Sequence, residues 1–175
     1  RDAEYLSKQA AKKGEAFDWK PLYAEEDVIA ATGQFVTVSY NRPLPIGDGM
    51  KVELFDAGHI LGSAMAYVHA RDRSGREVTI AFTGDLGRKG KPIIRDPDKI
   101  PPADYIVLEA TYGDRLHEST DDAVEKLAEA VKRTVARGGK LVIPAFAIER
   151  TQELVFYFHV LADKGLIPEV PIWVD

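Results

Sequence analysis

The chain has 175 residues, enough for one domain with a real core or for parts of two. Its 45% hydrophobic and 29% charged residues are ordinary for a globular protein, no apolar run approaches the roughly 18 residues that span a membrane, and the charged start carries no visible signal peptide. Cysteine is absent, which excludes disulfides and thiolate metal ligands, and the net charge of −5 does not steer the chain toward phosphate backbones.

Taken in order, residues 3–13 have helical periodicity and are closed by Gly14. Residues 25–32 read as a short helix stopped by Gly33. The period then changes. Residues 36–40 and 52–55 alternate as strands, joined by a Pro/Gly loop at 43–49. Residues 64–70 and 77–82 form a second alternating pair around Asp72-Arg73-Ser74-Gly75, a hairpin turn signal. Residues 88–102 are basic and proline-rich, hence a loop, and residues 105–108 are a continuous apolar strand.

After residue 118 the pattern becomes strand–helix alternation. Ser119 and Asp122 suggest a capping box, and Val124, Leu127, Ala128, Val131 and Val135 mark one helix face ended by Gly138-Gly139. Residues 140–144 and 170–174 read as strands on either side of a helix at 151–163, the βαβ pattern of a parallel sheet. Residues 35–82 are expected to be mainly antiparallel.

Three strand ends carry the polar chemistry. In FDAGHILGS (55–63) a strand runs into a turn where Gly58 and Gly62 leave room around His59. Such a histidine can present one ring nitrogen to a metal while an acceptor fixes the other. A surface-loop histidine fits the pattern equally well. In IAFTGDLG (80–87) an apolar strand ends at Asp85 between glycines. A carboxylate there can bridge two cations, or it can simply cap a turn. In YIVLEATYGDRLH (105–117) the strand delivers Glu109, followed by Thr111, Tyr112, Arg115 and His117. That density of polar groups favours a site over a plain polar loop. His69 reads as a packed or surface residue of a strand, His159 as structural, and the run Arg88-Lys89-Gly90-Lys91 as a solvated loop able to contact phosphate if it borders a cleft.

DAGHILGS, FTGDLG and LEATYGDRLH, in this order, resemble consecutive motifs of the β-CASP branch of the metallo-β-lactamase superfamily, and RDAEY, LYAEED, PAFAIERTQEL and the terminal PIWVD resemble further family stretches. The fold this implies is α/β. Residues 1–118 would be the second part of a metallo-β-lactamase αββα sandwich, and 119–175 the start of a parallel-sheet β-CASP domain. The resemblance makes His59 a zinc ligand and Asp85 the aspartate that bridges two zincs. Glu109 becomes the acidic residue that orients a later histidine, so Asp85 and Glu109 are the catalytic candidates. Ser63, Tyr112, Arg115, His117 and Arg150 fall in matching motifs and are candidate RNA contacts.

Two departures stand out. Glu149 precedes Arg150-Thr151-Gln152-Glu153 where the family often has glycine, which bears on a local turn or on charge near RNA. The His-x-His-x-Asp-His motif, which supplies most metal ligands in the family, is absent from the chain and expected upstream of Arg1. The chain therefore reads as a piece of a cytoplasmic, zinc-dependent ribonuclease that binds two zincs when complete and acts on RNA, with single-stranded DNA or a small ester as rival substrates. A non-catalytic RNA-binding relative is the rival outside enzymology. Alone, the chain is expected to be inactive, to hold zinc weakly and to associate, either as a homodimer or by aggregation. Endo- and exonuclease action are not distinguished by these motifs.

Overall fold

A computed structural model describes residues 2–16 and 21–174, which form two units, Arg1–Val38 and Ser39–Asp175. Arg1 and Asp175, the outer ends of two of the family-like stretches, lie outside the described residues.

The first unit holds α1 (Asp2–Lys13) and α2 (Glu25–Thr32). Lys12 and Lys13 in the last turn of α1 complement the helix dipole. Asp27 in the first turn of α2 accepts a 2.8 Å hydrogen bond from the Ala24 N–H, which supplies the reciprocal half of a capping box.

The second unit contains a five-stranded sheet in the order β1 (Leu44–Gly47), β2 (Met50–Asp56), β3 (Ala64–Arg71), β4 (Glu77–Phe82), β5 (Tyr105–Val107). β1 to β4 pair antiparallel, whereas β5 joins β4 in parallel. Residues 36–40, expected as a strand, do not form one. β1, which arises within the stretch expected to be loop, pairs with Met50–Val52 of β2, while further along β2 the Asn41 N–H donates to the Leu54 carbonyl at 2.8 Å. Alternation marks a segment that could pair, but a strand also needs a continuous ladder with a second backbone.

Facing residues Phe55 and Met65, and Tyr67 and Ala81, put the core on one face of the sheet together with Ala57. Ile100 and Ala103 cover this cluster. The Tyr67 hydroxyl crosses to the same segment and donates to the Pro102 carbonyl at 2.7 Å. The β3–β4 turn closes on Asp72, whose Oδ1 accepts from the Ser74 N–H (2.8 Å), the Ser74 hydroxyl (2.6 Å) and the Arg76 N–H (3.0 Å). β5 is the sheet edge, and Tyr105, Ile106 and Val107 are each more than half exposed, so this strand is not the buried one its composition suggests.

Beyond the sheet, α3 (Thr120–Ala136) begins at Ser119, whose hydroxyl accepts from the Asp122 N–H at 3.1 Å. α3, α4 (Arg150–Asp163) and the turn after α4 bury Ala128, Val131, Leu161 and Ile167 against one another. The apolar stripe of α3 closes on the buried Thr134, not on Val135, which is exposed. One step of three from Val131 keeps the stripe facing α4, and a step of four leaves it. Residues 140–144 and 170–174, expected as parallel strands, are assigned to no strand, and Val142 (86% exposed) and Trp173 (90%) stand open. An extended segment needs a second backbone for its ladder, and neither finds one among the described residues. The architecture is α/β with a mixed sheet. No helix among the described residues is long and apolar enough to cross a membrane.

Candidate metal and phosphodiester site

The strand directions bring the three motifs together. β2 and β4 both run antiparallel to β3, so they run parallel to each other, and β5 runs with β4. The C-terminal ends of β2, β4 and β5 therefore share one edge of the sheet. His59 follows β2, Asp85 follows β4 and Glu109 follows β5.

The His59 turn is tied by backbone-directed hydrogen bonds. Asp56 Oδ1 accepts from the Gly58 N–H at 2.8 Å. The Ser63 hydroxyl oxygen accepts from the His59 N–H (3.1 Å) and the Ile60 N–H (3.2 Å), while the Ser63 carbonyl accepts from the Tyr40 hydroxyl at 2.9 Å. Burial, then the carboxylates Asp56 and Asp98, push the Tyr40 hydroxyl up from its ordinary range, against Arg95. Gly58 has φ +59°, and a Cβ there would meet the Pro97 nitrogen at 2.6 Å. The Asp85 loop packs directly on this turn. The Gly87 N–H donates to the Ala57 carbonyl at 2.8 Å, and a Cβ on Gly87 would lie 1.7 Å from the Gly58 oxygen. Glycine is required at both positions because two backbones meet there.

Glu109 closes the arrangement. Its Oε1 accepts from the Leu86 N–H at 2.6 Å and its Oε2 from the Thr111 hydroxyl at 2.7 Å. The Thr111 hydroxyl, then the Leu86 amide, hold the Glu109 carboxyl below its ordinary range, and His59 acts in the same direction. The carboxylate is thus kept ionised beside the loop that carries Asp85. Asp85 itself is exposed and His59 half-buried.

No protein-family model matches the chain. It is 33% identical over 156 residues to Ribonuclease TTHA0252 of Thermus thermophilus, covering 89% of this chain and 34% of that protein. It is 36% identical over 171 residues to the transcription termination factor FttA of Methanosarcina mazei, covering 95% and 25%. It is 32% identical over 159 residues to an RNase J-like protein of Methanocaldococcus jannaschii, covering 87% and 36%. The chain belongs to the β-CASP branch of the metallo-β-lactamase superfamily. It spans about a third or less of the length of these relatives.

Zinc, which the β-CASP family implies, can be tested against the donors of this β-CASP chain. His59 and Asp85 offer an imidazole and a carboxylate, the donor types zinc takes where cysteine is absent. A zinc site needs at least three protein ligands, and among the described residues no three His, Asp or Glu side chains gather to hold a metal. The residues present suit zinc in kind and fall short in number.

The other candidate residues divide. Tyr112, Arg115 and His117 form an exposed group after Glu109, with the guanidinium 4.9 Å from the Tyr112 ring centre and the His117 ring 4.1 Å from it. Ser63 spends its hydroxyl on the His59 turn. Arg150 is half exposed and pairs with the buried Glu153 at 2.9 Å. His69 and His159 are exposed on their elements, and His69 sits edge-on to Tyr67 at 5.0 Å. The basic run 88–91 is not uniformly solvated, because Lys91 is buried in an ion pair with Glu149. Sequence reading did not find Thr83, and it named Thr111 only among the polar residues that follow Glu109. Thr83 is buried, and its hydroxyl oxygen accepts from the Glu109 N–H at 3.4 Å. Thr111 had a readable signal, a hydroxyl two residues from a strand-end carboxylate. A shallow groove of about 460 Å³ lined by Met50, His69, Arg71 and Glu77 lies at the opposite edge of the sheet from His59, Asp85 and Glu109.

Proposed function

We propose that the complete protein is a zinc-dependent ribonuclease that hydrolyses RNA phosphodiesters, with His59 and Asp85 supplying part of the zinc site. The observation that carries this reading is the convergence of His59, Asp85 and Glu109 at the ends of β2, β4 and β5. The printed names of the relatives, ribonucleases and transcription termination factors, favour RNA as the substrate class. When bound, zinc would supply Lewis-acid polarisation of a phosphoryl oxygen.

The chain's own residues have distinct tasks in this reading. Glu109 braces the Asp85 loop through the Leu86 amide, and Ser63 braces the His59 turn. Tyr112, Arg115 and His117 offer an aromatic and cationic surface suited to stacking bases and neutralising phosphate. Arg150 is a further phosphate contact. Residues 1–118 are assigned to the metallo-β-lactamase domain, as part of its αββα sandwich, and 119–175 to the β-CASP domain. The protein is assigned to the cytoplasm, and a homodimer is part of the proposal.

The test is cleavage of end-labelled RNA and single-stranded DNA by the full-length protein with and without zinc, beside His59→Ala and Asp85→Ala variants. Zinc-dependent RNA cleavage lost in both variants supports the reading. Cleavage unaffected by a chelator, or retained in both variants, overturns it.

A further inference from the structure

Glu149 sits in a conformation that favours glycine. Its φ is +68° and its ψ −61°, and the Arg150 N–H donates to the Ile148 carbonyl at 3.0 Å across it. This is a three-residue turn with a positive central φ, a rare and strained form for any side chain bearing a Cβ. The turn is also the entry to α4, because the Glu149 carbonyl accepts from the Glu153 N–H at 2.8 Å. A glycine would adopt the same backbone freely. Something other than backbone comfort is therefore served by the glutamate.

The side chain supplies the reason. Glu149 forms an ion pair with Lys91, 58 residues earlier, and the two side chains are only 10% and 9% exposed. Among the described residues, the remaining ion pairs all have at least one strongly exposed partner. Lys91 lies on the segment that leaves Asp85, six positions beyond it. Arg88, on the same segment, acts on Tyr157 of α4, lowering a hydroxyl that burial and then Glu153 raise. Lys91 of the basic run is thus turned toward the residue before α4, while Lys89 stays exposed.

We infer that Lys91 and Glu149 form a latch that fixes the start of α4, with Arg150, to the segment leaving Asp85. They are positioning residues. The pair keeps two segments far apart in sequence in one register, and the strain at Glu149 is held in place by the buried charge partner. The structural latch stands on geometry alone, while its value for RNA rests on the reading of Asp85 and Arg150 proposed above.

The test is backbone hydrogen exchange on the full-length protein carrying Lys91→Met, Glu149→Gln or both. Glu149→Gln keeps size and turn while removing the charge, so it remains informative if Lys91→Met folds poorly. A latch predicts reciprocity: each single variant speeds exchange about tenfold at both 86–92 and 150–154, and the double variant adds little more. Acceleration confined to the mutated segment overturns the latch. In RNA cleavage, either variant is expected to raise KM several-fold with kcat little changed, and equal KM values would overturn the link to Arg150. If the wild-type protein does not cleave RNA, the proposed function fails, and the exchange result still decides the latch.

Discussion

Glu109 Oε1 lies 2.6 Å from the amide nitrogen of Leu86, the residue that follows Asp85. A carboxylate from the end of one strand therefore fixes the backbone of the loop that leaves its parallel neighbour. The bond is charge-assisted, and the second carboxylate oxygen is occupied by Thr111, so the side chain has little freedom to turn away.

Removing this brace is expected to loosen the Asp85 loop without unfolding the sheet. Glu109→Ala should speed amide exchange at Leu86 about tenfold. In the full-length protein it should weaken zinc binding by about 10–100-fold, the usual effect of losing a group that orients a ligand. Isothermal titration with zinc reads the second effect. Unchanged zinc affinity would remove Glu109 from the support of the site.

Gly58→Ala should be among the most damaging single substitutions at this edge. It forces a left-handed φ of +59° on alanine and drives its Cβ to 2.6 Å from the Pro97 nitrogen. A cost of about 2 kcal/mol or more is expected, since torsional strain and displacement of the Pro97 backbone add. Denaturant unfolding monitored by circular dichroism measures it. A midpoint equal to wild type would mean that the 95–97 segment shifts at no cost.

Acid should act on the joint between β4 and β5. Asp104 Oδ2 accepts from both the Thr79 N–H and the Thr79 hydroxyl at 2.8 Å. The Thr79 amide, then its hydroxyl, hold the Asp104 carboxyl below its ordinary range. A depressed folded-state pKa means that the unfolded chain takes up the proton first. The stabilisation is therefore fully present above the ordinary aspartate range and is lost as pH falls through the folded value. Thr79→Val removes the hydroxyl bond, so the Asp104 carboxyl should move back up and the stability lost on acidification should shrink. Carbon-detected titration of the Asp104 carboxyl checks the direction.

These contacts differ in how far they can be read from sequence. The three motifs are legible because each repeats one local grammar: an apolar strand, then a polar residue at a glycine-bearing or hydroxyl-bearing turn. That grammar nominates His59, Asp85 and Glu109 without choosing between a site and a plain turn, the family resemblance implies their roles, and their shared edge follows once β3 is seen to reverse direction between β2 and β4. Residues 36–40 have the same alternation as a strand, yet they form none, and the partner β2 takes on that side is β1, from the stretch expected to be loop. Lys91 looks like any loop lysine until Glu149, 58 residues away, is found against it. Local pattern reports what a segment can pair with, and long-range competition decides what it does pair with.

Metal content offers the most direct test of the proposed site. The recognisable donors in the chain are His59 and Asp85, and a stable zinc site takes at least three protein ligands. The 175-residue chain alone should therefore bind less than two equivalents of zinc, lose it readily to a chelator and leave RNA intact. Metal binding requires deprotonated donors, so the residual affinity should fall further on acidification. A longer chain that brings in the His-x-His-x-Asp-His motif should bind about two equivalents and cleave RNA. Elemental analysis after dialysis against a weak chelator, run beside an RNA cleavage assay, compares the two chains directly. Two tightly held zincs in the shorter chain, or metal-dependent cleavage by it, would mean that ligands other than His59 and Asp85 complete the site within these 175 residues.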